Sequence, residues 1–509
     1  MKKIAGAFLA AALTLSSFSA VFAQSGDMGF FGGITEGVRL PKTTELILHD
    51  DRARNQGVVN LPYKETIFLS GVPVTYEGLL DIRYSGNVVD TDDSGTYRVA
   101  YVVHDSATTD ENIRIDRNLS FNVNWRREGK QIIKDYTVNS WSETISTGAG
   151  EFTIDRTQSH FDISILEDKT PGVTYYKGDV SQRAVYTNGT VPTILEVNSS
   201  LYGYTSAWSN TETHRIDGLV TTPDWQMSYQ IRPSVTVGKT LQYSQNEPNL
   251  ISFSGNYREH MSNKSGANYD IFTLPQRFYG TEKTGSISMS THNTFEQLIA
   301  PDVSFLKGHF AEADISKVFS MQLVDGDPKF FQPNQAITRG QFVTMLTKAV
   351  KLPVDLKEQE QALKSKKKVT LNIVFPDVLP EREDYPYIMA AYRSGLAVGR
   401  GSGHFHVDSN IQREEAIVIL LRTLGLQNLG LDKTPVTMFV DDEKISDWAK
   451  REVYAAARIG LIYGDENGNF NPKAYITKAE AAALTNRLIE YMRKELVTDY
   501  TEYIVNYPN

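Results

Sequence analysis

The chain has 509 residues, too long for one ordinary domain, with 40% hydrophobic and 22% charged residues. That balance supplies apolar material for packed cores and excludes wholesale disorder. A net charge of −9 argues against a general nucleic-acid binder, and the absence of cysteine excludes disulfides, thiolate metal sites and thiol catalysis.

The first segment, 1–23, reads as a secretory signal peptide. Lys2 and Lys3 precede an apolar run from Ile4 to Leu15, and Val21-Phe22-Ala23 has the small-x-small form of a cleavage site. The apolar run is too short to span a membrane comfortably. Export is therefore expected, with the mature chain starting near Gln24.

Residues 24–295 are expected to be antiparallel all-β, a sandwich or a strongly curved meander. The apolar period is two. Tyr97, Val99, Tyr101 and Val103 alternate, as do Phe121, Val123 and Trp125, then Phe161, Ile163 and Ile165, then Met227, Tyr229 and Ile231. Asn188-Gly189 marks a hairpin, and Gly129 and Pro171-Gly172 mark looser turns. No nucleophile elbow, zinc-protease motif or phosphate loop occurs here. The scattered histidines read as ordinary strand residues. Trp125, Trp141, Trp208 and Trp225 read as packing residues in preference to a sugar-stacking platform.

After about residue 300 the pattern changes to helices joined by short glycine loops, and it repeats three times. Ile337, Ile411 and Ile476 are equivalent landmarks, preceded by Phe331, Phe405 and Phe470 and by Gly326, Gly399 and Gly464. The first helix of a copy carries an aromatic near its start, Phe310 or Trp448. The second opens with a capping box, Thr338 with Gln341 or Thr477 with Glu480. Residues 300–350, 370–427 and 435–495 form the three modules, and the charged stretch 355–368 is an insertion between the first two.

The repeated Ile337-Thr338-Arg339-Gly340-Gln341, Ile411-Gln412-Arg413-Glu414-Glu415 and Ile476-Thr477-Lys478-Ala479-Glu480 closely resemble the S-layer homology family. So do Phe375-Pro376-Asp377, Phe439-Val440-Asp441 and Trp448-Ala449. The resemblance implies an all-α, pseudo-threefold, three-module domain. It also implies non-covalent attachment to a secondary cell-wall polysaccharide, often bearing a pyruvate ketal. The chain departs from the family where Phe310 and Glu383 replace the usual Trp, where Gln412 replaces the capping Thr, and where Lys478 replaces the Arg.

Arg339, Arg413 and Lys478 each sit just inside the start of a second helix, where a cation is unfavourable for the helix alone. The first N–H groups there have no intrahelical partner, so an external carboxylate is the expected occupant. Thr338, Thr477 and Trp448 complete the expected binding set. The arginines, with their bidentate forks, are expected to outweigh the lysine. The competing reading is a structural salt bridge to a neighbouring module. The loop Asp465-Glu466-Asn467-Gly468-Asn469 lacks the terminal glutamate of a calcium loop and reads as a turn. No metal or cofactor is expected.

The expected whole is a non-enzymatic, exported cell-surface protein held at the wall or S-layer. Self-association in a surface lattice is a further partner that this reading allows. The alternative is a wall-anchored carbohydrate-active enzyme or lectin-like protein with its site in the β region.

Overall fold

The computed structural model describes residues 32–35, 56–86, 93–189, 191–243, 257–276, 278, 282–289, 294–356, 359–360, 363, 374–401, 403–429 and 434–500. The signal segment 1–23 lies outside the described residues, as does most of the charged stretch 355–368.

The first part is all-β. Its strands are β1 (Ile34–Thr35), β2 (Gln56–Ile67), β3 (Val74–Gly86), β4 (Ser94–His104), β5 (Arg114–Glu128), β6 (Gln131–Thr147), β7 (Gly150–Ile154) and β8 (His160–Lys169). They continue with β9 (Val173–Asn188), β10 (Val191–Ser206), β11 (Ser209–Thr221), β12 (Gln226–Tyr243), β13 (Tyr257–Thr273), β14 (Thr284–Met289) and β15 (Thr294–Leu298). Among the described residues they form one antiparallel meander in chain order, with β7 and β8 both lying between β6 and β9. β14 and β15 both pair with β13. The sheet curls until β1 touches β12, β13 and β14, and β2 touches β14. The result is a small barrel with an extended sheet, the curved-meander form of the expected fold.

Alternation read from the sequence is the burial pattern of the strands, because successive side chains leave a strand on opposite faces. Tyr97, Val99, Tyr101, Val103, Phe121, Val123, Phe161, Ile163, Ile165, Met227, Tyr229 and Ile231 are all buried. Trp125, Trp141 and Trp208 are core residues, and Trp225 is half-buried against Phe278. The opposite face of β5 presents Arg114, Asp116, Asn118, Asn122, Asn124 and Arg126 to solvent. Some inward positions on β2, β5 and β6 carry charge, among them Glu65, Arg117 and Glu143. Arg117 donates to Glu65 (2.7 and 3.1 Å) and through Nε to Glu143 (2.8 Å), all three buried.

The second part is helical. Its helices are α1 (Glu312–Ser320), α2 (Arg339–Ala349), α3 (Tyr385–Arg393), α4 (Arg413–Arg422), α5 (Asp447–Arg458), α6 (Lys478–Lys494) and the short α7 (Leu496–Asp499). Each repeat contributes an outer helix (α1, α3, α5) and an inner one (α2, α4, α6). Packing is cyclic: α2 lies on α3, α4 on α5, and α6 on α1. One helical pair cannot bury its apolar face alone, so the three share a core.

The left-handed residue that ends each outer helix is Gln322, Gly395 or Gly460, with φ of 57°, 76° and 71°. The following Leu323, Leu396 or Leu461 N–H bonds back to Val318, Ala391 or Ala456. Of the glycines aligned from the sequence, only Gly326 has positive φ. Gly399 is held instead by close packing, since a Cβ there would lie 2.9 Å from both His404 O and the Phe375 ring.

The two parts are locked together, an arrangement the sequence did not announce. The last carbonyls of a helix lack intrahelical donors. Here the β region supplies them at all three inner helices. Trp208 Nε1 donates to Ala349 O at the end of α2 (2.8 Å). Gly172 N and Thr170 Oγ1 donate to Thr423 O (2.8 and 3.0 Å), and Tyr175 OH to Leu424 O (2.8 Å), just past α4. Ser209 Oγ donates to Met492 O in α6. Val173, Tyr175, Tyr204 and Trp208 belong to the same apolar core as the helices.

A charged cluster borders this junction. Lys239 Nζ lies 2.6 Å and Lys351 Nζ 3.9 Å from Glu259, with Lys351 also over the Trp208 ring and within the field of Glu296. Burial, reinforced by Lys239, pulls the Lys351 ammonium from its ordinary 10.5 to about 8. Folding therefore favours the neutral amine. The unfolded chain binds the extra proton between these values, so stability should rise as pH climbs from about 8 to 10.5. The rise is modest because the side chain is 32% exposed. Urea melts of the parent and Lys351→Met across that range check this; an equal rise in both would dismiss Lys351 as its source.

Candidate functional site

Three extended segments precede the inner helices and meet around the pseudo-threefold axis. Ile337 N donates to Ile476 O (3.0 Å), Ile411 N to Ile337 O (3.2 Å) and Ile476 N to Ile411 O (3.2 Å). This closed ring explains why the isoleucines mark the repeat. All three are buried. The next residue in each copy is a helix cap. Thr338 Oγ1 accepts from Gln341 N, and Thr477 Oγ1 from Glu480 N, both at 3.2 Å. In the second copy Glu415 folds back onto the Gln412 N–H (3.1 Å).

Arg339, Arg413 and Lys478 follow, one at the start of each inner helix, so the structure brings the three onto one end of the domain. The β region occupies the other end of these helices. Open N–H groups, expected from the sequence, are not found. Arg339 N and Gly340 N donate to Ser409 O and Val407 O (2.8 and 2.9 Å). Arg413 N and Glu414 N donate to Ala474 O and Pro472 O (2.8 and 3.1 Å). Lys478 N and Ala479 N donate to Gln335 O and Pro333 O (2.9 and 3.0 Å). Each module thus caps its neighbour with the loop that carries Pro333, Val407 or Pro472. Any anion specificity must come from the side chains.

Those side chains differ. Arg339 is only 4% exposed; its Nη2 donates to Val398 O (2.6 Å) and its guanidinium lies 4.9 Å from the Phe405 ring centre. Burial pulls its pKa down to about 10. Arg413 pairs with Glu480 of the next module, the structural salt bridge weighed from the sequence. The Nε of both arginines is buried with no partner among the described residues. Lys478 has a ring contact with Phe331 at 6.0 Å, and no carboxylate lies within 4 Å of it among the described residues. Burial lowers its pKa.

Two of the outer helices carry an exposed aromatic at or just before their start. Trp448, in the first turn of α5, is 55% exposed, and Phe310, stacked on His309, is 73% exposed. Glu383, their counterpart by register, is exposed before α3. Sequence reasoning missed Val398, Phe405 and Glu480 as partners of the arginines, although Phe405 and Glu480 are themselves repeat positions. Asp441 and Asp377 were visible only as motif letters. Each carboxylate in fact clamps the loop of its own module: Asp377 accepts from Phe405 N and Val407 N (2.9 and 3.1 Å), Asp441 from Phe470 N and Asn471 N (2.7 and 2.8 Å). Asp465 accepts from the N–H groups of Asn467 and Asn469 (both 2.9 Å), so its loop is an ordinary Asx turn.

A threefold array of helical pairs, with three side-chain cations gathered at one end, defines a tandem-repeat binding domain. Residues 306–343, 375–417 and 439–482 match the S-layer homology domain family, so the chain carries three S-layer homology domains and is a cell-surface protein of that kind. No family match covers the region before them. The chain is 31% identical over 192 residues to an amylopullulanase of Thermoanaerobacterium thermosulfurigenes and to the exoglucanase XynX of Acetivibrio thermocellus, covering 36% of this chain in each case. It is 27% identical over 193 residues, 37% of this chain, to the surface-layer 125 kDa protein of Lysinibacillus sphaericus. The matches lie over the S-layer homology region alone and span 9%, 16% and 15% of those relatives. No helix among the described residues is long and apolar enough to cross a membrane.

Proposed function

We propose that the three S-layer homology domains hold the exported protein non-covalently to a secondary cell-wall polysaccharide, binding its carboxylates, such as a pyruvate ketal, at Arg339, Arg413 and Lys478. Thr338 and Thr477 fix the helix starts, and Trp448 offers a stacking face to a sugar ring. The observation that carries this reading is the ring of three incompletely satisfied cations at the end of the domain away from the β region. Among the described residues, two keep a buried Nε without a partner, and the third has no carboxylate within 4 Å. Lys478 therefore counts for as much as the arginines, although its point charge lacks their fork.

The β region is the outward, non-catalytic part, an S-layer or surface-associated module. Its buried glutamates support a structural role: Glu65 and Glu143 hold Arg117, Glu167 holds Lys134 and Glu212 holds His214. Release of reducing ends from polysaccharides by the whole protein would overturn the non-catalytic reading.

Binding to purified wall polymer tests the site. Lys478→Ala and Arg413→Ala should each lose about 1.5–3 kcal/mol, or roughly tenfold or more in affinity, by removing a charge-assisted contact. Arg339→Ala should do the same, with added loss of stability because its stem is buried. Circular dichroism must show that the fold survives. Parental affinity in a folded Arg413→Ala/Lys478→Ala double variant would sink the carboxylate site.

A further inference from the structure

Glu414 is the second residue of α4, and it is 1% exposed. A carboxylate so deeply buried is costly unless donors surround it. Here three donors meet it. Ser446 donates from its N–H to Oε2 and from its hydroxyl to Oε1 (both 3.0 Å), and Lys473 Nζ donates to Oε1 as well. Lys473 closes the set by donating to Ser446 Oγ. Ser446 is the residue before α5, and Lys473 lies in the loop whose backbone accepts from Arg413 N and Glu414 N. One side chain of the second module therefore ties together two segments of the third.

The other two junctions are built differently. At the equivalent position the first copy has Gly340 and the third has Ala479. A Cβ on Gly340 would lie 2.5 Å from Val407 Cγ2 and 2.9 Å from Val407 O, so a side chain there would displace the loop. The Ala479 methyl is buried and offers no acceptor. The helices opposite differ in step. α2 packs on α3, where Glu383 holds the aromatic position, and α6 packs on α1, which follows Phe310. α4 packs on α5, the outer helix that carries Trp448. The clamp and the tryptophan thus occur at the same junction.

We infer that Glu414 is a positioning residue of the binding domain. Arg413 is its neighbour in the chain, and Trp448 stands two residues beyond Ser446. By fixing the start of α5 to the start of α4, Glu414 sets the distance between the cation and the aromatic face. A contact pair held in place before the ligand arrives costs less to order on binding. The junction of the second and third modules is then the preorganised one of the three. This role rests on the wall-attachment reading, and it adds to that reading a residue that never touches the polymer.

Two measurements on the mature full-length chain test it. The first needs no polymer. With all five tryptophans replaced by fluorotryptophan, the Trp448 resonance is assigned by its loss in Trp448→Phe. It should move in Glu414→Ala, while that of Trp208 stays. Lys473 is half-exposed and can turn to water, so this variant should keep its fold by circular dichroism. The second is affinity for purified wall polymer. Glu414→Ala should lose about tenfold in the parent and less than about twofold in a Trp448→Ala background, because a coupled pair is not additive. Glu414→Gln keeps an acceptor for Ser446 and should recover most of the loss. A Trp448 signal that stays in place in Glu414→Ala overturns the inference. So do equal losses in the two backgrounds, the mark of a general structural role. If the signal moves but Arg413→Ala/Lys478→Ala still binds like the parent, the carboxylate site itself is wrong, and the clamp is packing with no part in binding.

Discussion

Trp208→Ala should destabilise both halves of the molecule together, by about 3–5 kcal/mol. The indole is 1% exposed and lies in the apolar core shared with the helices. Its Nε1 is the donor for Ala349 O, so removal leaves a cavity and an unsatisfied helix end. The β-strand and helix signals of circular dichroism should therefore shift to lower denaturant together. The same logic bears on cutting the chain between residues 270 and 300. That is where the sequence changes from strand to helix patterning. The liberated helical piece would expose Val350, Leu424 and Tyr500 and lose the donors for Thr423 O and Leu424 O. It should remain helical but melt well below the intact protein. Two separate transitions, with the substitution affecting only the β signal, would show that the junction carries no coupling.

Arg117→Met should cost at least about 3–5 kcal/mol, because it strands two carboxylates in the barrel interior. Glu65 and Glu143 would keep Tyr63 OH (2.6 Å) and Trp141 Nε1 (2.8 Å) as donors, but neither supplies a positive charge. Adding Glu65→Gln and Glu143→Gln removes the uncompensated charge, so the triple variant should recover much of the loss. Urea unfolding followed by tryptophan fluorescence measures both. A single variant within about 1 kcal/mol of the parent would mean that the trio is not the electrostatic centre of the barrel.

Much of this molecule was legible in its residues. Alternation in β4, β5, β8 and β12 named the inward face correctly, because a strand has only two faces and one was apolar. Asn188-Gly189 marked the β9–β10 turn, where Gly189 has φ of 64°. The equivalence of Ile337, Ile411 and Ile476 was visible as spacing, and it became a closed ring of hydrogen bonds. The cap residues were readable because Thr338 and Thr477 bond to groups three residues away. All of these are local patterns or repeats of one.

Local pattern determined the strands, the helices, the caps and the threefold repeat. Tertiary structure alone decided how they meet. No spacing announces that Trp208, Tyr175 and Ser209 will cap the ends of α2, α4 and α6, because those partners lie between 141 and 283 residues apart. Nor could charge alone rank Arg339, Arg413 and Lys478. Each stands at the same point of its module, but its neighbours come from the next module, where Val398 O, Glu480 or a phenylalanine ring sets how much of the cation is left to a ligand. The helix starts seemed open for the same reason. A helix lacks donors for its last carbonyls and acceptors for its first N–H groups, and only the folded chain shows which other segment supplies them.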